Sequence, residues 1–283
     1  MIDSRHDDEA RRAFWTEQMD AASEFMQTVM GFPVEECGEP LAPLREAAEA
    51  AGVEVAFSGD KIADGRDRLY LLREGLVGPF LAAARDMNAQ GLVLKVEDGY
   101  RTLTIQRGLG RTPRVFDAIL KKVRWELGGA PPSPEMMFRR ITALIATCPK
   151  IGTHMSGSAV DISVLSRDTG EELDRGCPYI DLSERTPMES PFVSEQAREA
   201  RRRITKMMSG HGFAAYPYEF WHYSSGDAYD RILNGSSEPA RYGAVDADLS
   251  TGRVTPVEDP AAPLHDPADI QRAIAESLDR VWP

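Results

Sequence analysis

The sequence predicts an α+β fold, because helical patterns dominate its first half and strand-like runs become frequent later. Apolar residues recur at helical spacing at 8–30, 41–51, 69–90, 114–127 and 134–147. Residues of high β propensity form short runs at 92–96, 159–165 and 213–223. A basic helix is expected at 194–208 and a terminal helix at 267–281.

Turn and cap residues mark where these elements begin and end. The first helix closes at Gly31-Phe32-Pro33, and the helix over 69–90 closes at Gly91. Ser133 with Pro134 opens the helix over 134–147. The run "LVLKV" at 92–96 ends at an Asp-Gly turn, so the residues after it emerge at a strand end, where sites are common.

Composition excludes several classes of protein. The 283 residues are 42% hydrophobic, which suits a globular protein with a substantial core. A net charge of −12 argues against nucleic acid or an anionic membrane surface as the partner. The N-terminus lacks a signal-peptide pattern, no run of about 18 apolar residues occurs, and the three cysteines lack C-x-x-C pairing. We therefore expect a cytoplasmic protein with reduced thiols.

The segment "GTHMSGSAVDIS" at 152–163 brackets a turn with two metal-binding residue types, His154 and Asp161. Seven extended residues would span about 23 Å, whereas two ligands of one zinc ion lie a few ångströms apart. The chain must therefore reverse between them if they share a metal, and Ser156-Gly157-Ser158 has the chemistry of a turn. Taken alone, the pair is equally compatible with a loop histidine and a strand-edge aspartate.

The segment "YEFWH" at 218–222 supplies a third candidate ligand, His222, and a carboxylate, Glu219. Two histidines, an aspartate and a free carboxylate are the composition of a catalytic zinc site with a base for its water. Positions i and i+3 of a strand point to opposite faces, so a turn or bulge must intervene here. Arg101, at the end of "EDGYR", is the candidate for stabilising an oxyanion.

These motifs resemble those of a known family. "GTHMSGSAVDIS" is similar to the S-x-H-x-x-G-x-A-x-D motif, and "YEFWH" to the E-x-W-H motif, of the zinc D-Ala-D-Ala peptidases of family M15. The segments "LREGL", "DGYR", "GEELDRG" and "DLSERT" resemble its VanX-type D-alanyl-D-alanine dipeptidases. The likeness runs from about Val55 to Tyr223.

The resemblance implies a role for each site residue. His154, Asp161 and His222 would bind one Zn²⁺, Glu219 would act as general base and then general acid, and Arg101 would stabilise the tetrahedral intermediate. The implied fold is the α+β Hedgehog/DD-peptidase fold, an antiparallel sheet with packed helices. The catalytic domain would cover 55–240, with an N-terminal helical extension at 1–54 and an acidic, Pro-rich C-terminal extension at 241–283.

The sequence departs from the family motifs at two positions, Gly152 in place of serine and Thr102 in place of proline. The first hypothesis is a cytoplasmic D-Ala-D-Ala dipeptidase, acting in glycopeptide resistance or wall-precursor recycling, and the two departures permit a second. The second is the same chemistry on another small peptide or amide, and the third is a non-catalytic zinc-binding module. The expected partner is a small dipeptide, with neither nucleic acid nor a membrane, and the oligomeric state stays open.

Overall fold

The chain folds around a five-stranded sheet flanked by helices. A computed structural model describes residues 4–281, apart from the side chains at 4–6, 64, 111 and 267. The helices are α1 Ser4–Gly31, α2 Leu44–Ala50, α3 Glu74–Ala89, α4 Leu103–Arg111, α5 Pro113–Glu126, α6 Pro134–Leu144, α7 Thr153–Ser156, α8 Glu195–Gly210, α9 Ala228–Leu233 and α10 Pro267–Val281. The strands are β1 Leu41–Pro43, β2 Val55–Phe57, β3 Leu71–Arg73, β4 Leu92–Asp98, β5 Ala159–Ser166, β6 Ala214–Ala215, β7 His222–Ser224, β8 Val245–Ala247 and β9 Val254–Pro256.

The main sheet has the strand order β2-β4-β5-β7-β6. The pairs β4–β5, β5–β7 and β6–β7 are antiparallel, whereas β2 and β4 are parallel. Parallel neighbours need a crossover connection, and the segment containing α3 supplies it. The predicted α+β class is therefore confirmed, with one parallel pair in a sheet that was expected to be antiparallel throughout.

One face of the sheet packs against helices α3 and α8. Alternate residues of β5, Val160, Ile162 and Val164, are fully buried in this core together with Phe80 of α3 and Ile204 of α8. Because side chains alternate between the two faces of a strand, the residues between them point to the other face. This alternation places the polar residues of β5 away from the main core.

A helical layer covers the other side of the molecule. Helix α1 packs on α6 through Met19 and Ala22, which contact Ala143, and α10 packs on α5 and α6. The predicted N-terminal helix thus lies directly against the predicted catalytic segment. Each helix among the described residues is too short or too polar to cross a membrane.

The first residues of two predicted helices form strands instead. Leu41–Pro43 and Leu71–Arg73 form an antiparallel pair, β1 with β3, instead of the first turns of the helices predicted at 41–51 and 69–90. Strands of three residues are too short for their periodicity to be distinguished from a helical one. Helix α4 was not predicted; Thr102 caps it, since its hydroxyl accepts a hydrogen bond from the backbone N–H of Ile105 at 3.2 Å.

Arg73 joins three distant segments of the chain. Its guanidinium is fully buried and donates to both carboxylate oxygens of Glu36, at 3.0 and 2.9 Å. It also donates to the backbone carbonyls of Ser156 and Gly243. Arg73 therefore connects the N-terminal segment, the turn after His154 and the C-terminal segment.

Replacing Arg73 should destabilise the protein strongly. We expect Arg73→Met to lower the free energy of unfolding by about 3–5 kcal/mol, because it leaves the Glu36 carboxylate, whose side chain is only 11% exposed, without its charged partner. Arg202→Met is the matched control, since Arg202 pairs with Glu195 and Glu199 on an exposed helix face, and it should leave the free energy of unfolding nearly unchanged. Urea denaturation measures both, and equal losses would contradict the assigned role of Arg73.

Candidate active site

The register of three neighbouring strands places polar residues side by side. Asp161 of β5 lies opposite Asp98 at the end of β4 and opposite His222 at the start of β7. The β4–β5 register shifts between Val96 and Asp98, as in a β-bulge. This irregularity re-aims the end of β4, so that the segment "DGYR" lies beside Asp161.

The predicted reversal between His154 and Asp161 is present. His154 lies in the single-turn helix α7, and Gly157 ends that helix with φ of 67°, a conformation that favours glycine. The Nδ1 of His154 lies 2.7 Å from the carbonyl oxygen of Gly99, which fixes the ring. A side chain at position 99 would approach the carbonyl of Leu69 to 2.6 Å, so only glycine fits there.

His154, Asp161 and His222 form a buried cluster. Their candidate ligand atoms all lie within 4.8 Å of one another. The Oδ1 of Asp161 lies 3.2 Å from Nε2 of His154 and 2.9 Å from Nδ1 of His222. The structure thus brings together the three residues that the sequence singled out as a ligand set.

The donor chemistry of this cluster fits a zinc ion. Two imidazole nitrogens and one carboxylate oxygen are a set that catalytic zinc sites use, with a further position for water or substrate. The remaining ring nitrogens also have partners: Nδ1 of His154 meets the Gly99 carbonyl, and Nε2 of His222 lies 2.9 Å from the Thr153 hydroxyl. Such partners orient ligating histidines.

Glu219 borders the same cavity as the histidine and aspartate cluster. The backbone N–H of His222 donates to the carbonyl of Glu219 at 3.1 Å, so a tight turn precedes β7. This turn is the irregularity that the i, i+3 spacing required. Burial raises the pKa of the Glu219 carboxyl to about 7, and nearby Asp161 adds to the rise.

Arg101 is held against the cluster by Asp98. Its Nε donates to Oδ2 of Asp98 at 2.8 Å, and its Nη2 lies 3.7 Å from Oδ2 of Asp161. Arg68 shares the same Asp98 oxygen at 3.1 Å. Burial opposes the charged form, yet Asp98 and Asp161 raise the pKa of Arg101 above its usual value. A fixed guanidinium therefore lines the cavity.

Sequence reasoning missed several residues of this site. The sequence indicates Asp98 only as part of a turn, although this residue anchors Arg101. Its position directly before the "GYR" segment is the signal that could have identified it. The Tyr179 hydroxyl donates to Oδ2 of Asp161 at 3.0 Å, and no local pattern indicates that contact. His211 lies outside the cluster, at the end of α8, where its Nε2 is 2.7 Å from Oδ2 of Asp86.

Comparison with known proteins gives a family match. Residues 129–238 match the family Peptidase_M15, described as D-ala-D-ala dipeptidase. That segment contains His154, Asp161, Glu219 and His222, whereas Arg101 precedes it.

Three relatives carry the name D-alanyl-D-alanine dipeptidase. One from Synechocystis sp. is 28% identical over 71% of this chain and 88% of its own length. Those from Enterococcus faecium and Enterococcus faecalis are 35% and 31% identical over 25% of this chain. The matched segment spans only about a third of the two enterococcal proteins, 35% of each.

Solved structures give a weaker likeness. The LdcB LD-carboxypeptidase is 18% identical, with 72% of this chain and 78% of that chain covered and a TM-score of 0.37. The complex of VanYB with D-Alanine-D-Alanine is 16% identical, with 62% and 83% covered and a TM-score of 0.36. Over residues 129–238 the chain is therefore similar to peptidase family M15, and over a longer stretch it is similar to a protein named D-alanyl-D-alanine dipeptidase.

Removing one candidate ligand should weaken metal binding. We expect His222→Ala to raise the dissociation constant for Zn²⁺ by at least about 100-fold, because one of three protein donors is lost. His211→Ala is the control, since His211 lies outside the cluster. Competition with a chelating indicator measures both affinities, and similar zinc affinities in the two variants would exclude His222 as a ligand.

Proposed function

We propose that this protein is a zinc-dependent dipeptidase that hydrolyses D-alanyl-D-alanine or a related small dipeptide. The observation that carries the proposal is the shared cavity, which is lined by the His154, Asp161 and His222 cluster together with Glu219 and Arg101. A site that only retained a metal would need neither an enclosed carboxyl nor a fixed guanidinium. We further propose a cytoplasmic location and a role in the turnover of wall precursors.

In this proposal His154, Asp161 and His222 hold the zinc ion. When bound, zinc supplies a Lewis acid that polarises a carbonyl oxygen and lowers the pKa of water. Gly99 and Thr153 orient the two histidine rings through their contacts with Nδ1 of His154 and Nε2 of His222. The protein thereby fixes the ligand geometry before substrate arrives.

Glu219 moves the proton in the proposed reaction. Its carboxylate accepts a proton from the attacking water and then delivers that proton to the nitrogen of the leaving amino acid. Glu219 precedes His222 by three residues, and the turn before β7 brings both side chains to the cavity. The same carboxyl group thus acts first as base and then as acid.

Arg101 stabilises the negative charge that develops on the substrate carbonyl oxygen. Its ion pair with Asp98 fixes the guanidinium in place, so little reorganisation is needed during the reaction. Its Nη1 also donates to Oε1 of Gln106 at 3.2 Å, and Arg101 lines the cavity. This arrangement favours catalysis over the alternative of a non-catalytic zinc-binding module.

The helical layer supports a preference for small substrates. The cavity is lined by Met26 of α1 and by residues of α5 and α6, in addition to the sheet residues. These walls would obstruct a long peptide that passed through the site. The predicted domain at 55–240 would therefore depend on the segment 1–54 for part of its pocket.

A release assay tests the proposal directly. We expect the zinc-loaded protein to release alanine from D-Ala-D-Ala, and to act more slowly on L-Ala-L-Ala and on a longer peptide ending in D-Ala-D-Ala. A chelator should abolish the release, and added zinc should restore it. If the zinc-loaded protein releases nothing from any of the three, the dipeptidase function is wrong.

Glu219→Gln should separate catalysis from metal binding. We expect kcat to fall by about 10²–10⁴-fold, because the amide cannot accept the proton of the attacking water. Zinc content measured by atomic emission should stay at the wild-type ratio, since Glu219 is outside the ligand cluster. Glu199→Gln, on an exposed face of α8, is the control. Near-normal turnover by a zinc-loaded Glu219→Gln protein would rule out the assigned role.

A further inference from the structure

Part of the cavity surface consists of aliphatic side chains from three helices and two loops. This aliphatic wall contains Leu109, Val115, Leu144, Ile145, Ile180 and Leu182. Five of the six are partly buried, and Ile180 is 54% exposed. None of these side chains carries a hydrogen-bonding group, so the wall offers only apolar contact.

The wall is backed by a hydrophobic cluster but is not part of its interior. Val115, Leu144, Ile145 and Leu182 pack against the buried cluster that contains Phe116 and Ile141. Their exposed surfaces line the cavity instead of being covered by other side chains. Contiguous apolar surface inside a cleft is typical of a ligand site.

The other residues that line the cavity indicate which molecule contacts the aliphatic wall. Glu219, Arg101 and the His154 cluster border the same space, so a molecule that reacts there also contacts the wall. The two methyl groups of a dialanine cannot cover six aliphatic side chains. A substrate with a larger apolar group would bury more of this surface and gain affinity from it.

We propose that the substrate of this site carries, on at least one of its two residues, an aliphatic or aromatic side chain larger than methyl, which lies against the aliphatic wall. The inference rests on the proposed dipeptidase function and specifies its substrate class. The charged residues of the cavity agree with it, because Arg68 and Arg101 already pair with Asp98. A charged side chain of the substrate would face the wall without a partner, which is unfavourable.

A panel of dipeptides tests the inference. The zinc-loaded protein is assayed with D-Ala-D-Ala and with the D,D and L,L forms of Leu-Ala, Ala-Leu, Phe-Ala and Ala-Phe. We expect kcat/KM for at least one leucine- or phenylalanine-containing dipeptide to exceed that for D-Ala-D-Ala by about tenfold or more. Glu-Ala and Ala-Glu in the same two forms should be the poorest substrates.

Two variants locate the effect at the wall. Val115→Thr keeps the shape of the side chain but replaces a methyl group by a hydroxyl, and Ile180→Ser removes an apolar side chain that is 54% exposed. Each should lower the ratio of kcat/KM for the preferred bulky dipeptide to that for D-Ala-D-Ala by at least about threefold. Leu249→Ser is the control, because Leu249 is equally exposed, at 53%, and lies outside the cavity.

The outcomes distinguish this inference from the proposed function. Hydrolysis of D-Ala-D-Ala at a rate equal to or above that of every bulky dipeptide would overturn the inference and leave the dipeptidase function intact. Absence of hydrolysis of every dipeptide by the zinc-loaded protein would overturn both. A preference for a bulky dipeptide that the wall variants reduce, and that Leu249→Ser leaves unchanged, would establish the wall as the side-chain subsite.

Discussion

The position of Asp161 in the sheet is the constraint on which the site depends. Its backbone pairs with Asp98 on one side and with His222 on the other, and its carboxylate contacts both histidines, Tyr179 and Arg101. Burial alone would raise the pKa of this carboxyl, but the two histidines hold it well below the usual value. A shift of one residue in register would turn Asp161 to the opposite face and dismantle the cluster.

The residues around Asp161 reach it from segments far apart in the chain. Gly99 packs closely against the backbone of Leu69, and its carbonyl oxygen contacts Nδ1 of His154. Arg73 fixes the turn that follows His154 by donating to the carbonyl of Ser156. Arg73 in turn depends on Glu36 in the N-terminal segment. The geometry of the site therefore depends on the folding of segments that contribute no catalytic group.

The chemistry and the selectivity of the site come from different parts of the fold. Strands and turns of the sheet position the proposed ligands, base and guanidinium. Helices α1, α4, α5 and α6 and the loop around Ile180 form the walls of the cavity. Since loops and added helices change without disturbing a sheet, this division allows one reaction to be used on different substrates within a family.

The sequence by itself determined the α+β class, the longer helices and the residue types of the site. Helical periodicity identified α1, α3, α5 and α6, because each has an apolar face repeated over several turns. The motif spacing identified His154, Asp161, Glu219 and His222, since reversal and turn signals lie within the same short segments. Only the tertiary structure decided that Asp98 anchors Arg101, that Tyr179 contacts Asp161, and that aliphatic residues line the cavity. The contact of Tyr179 with Asp161 joins residues 18 positions apart, which no local pattern encodes, and the pairing of Asp98 with Arg101 depends on the bulge at the end of β4.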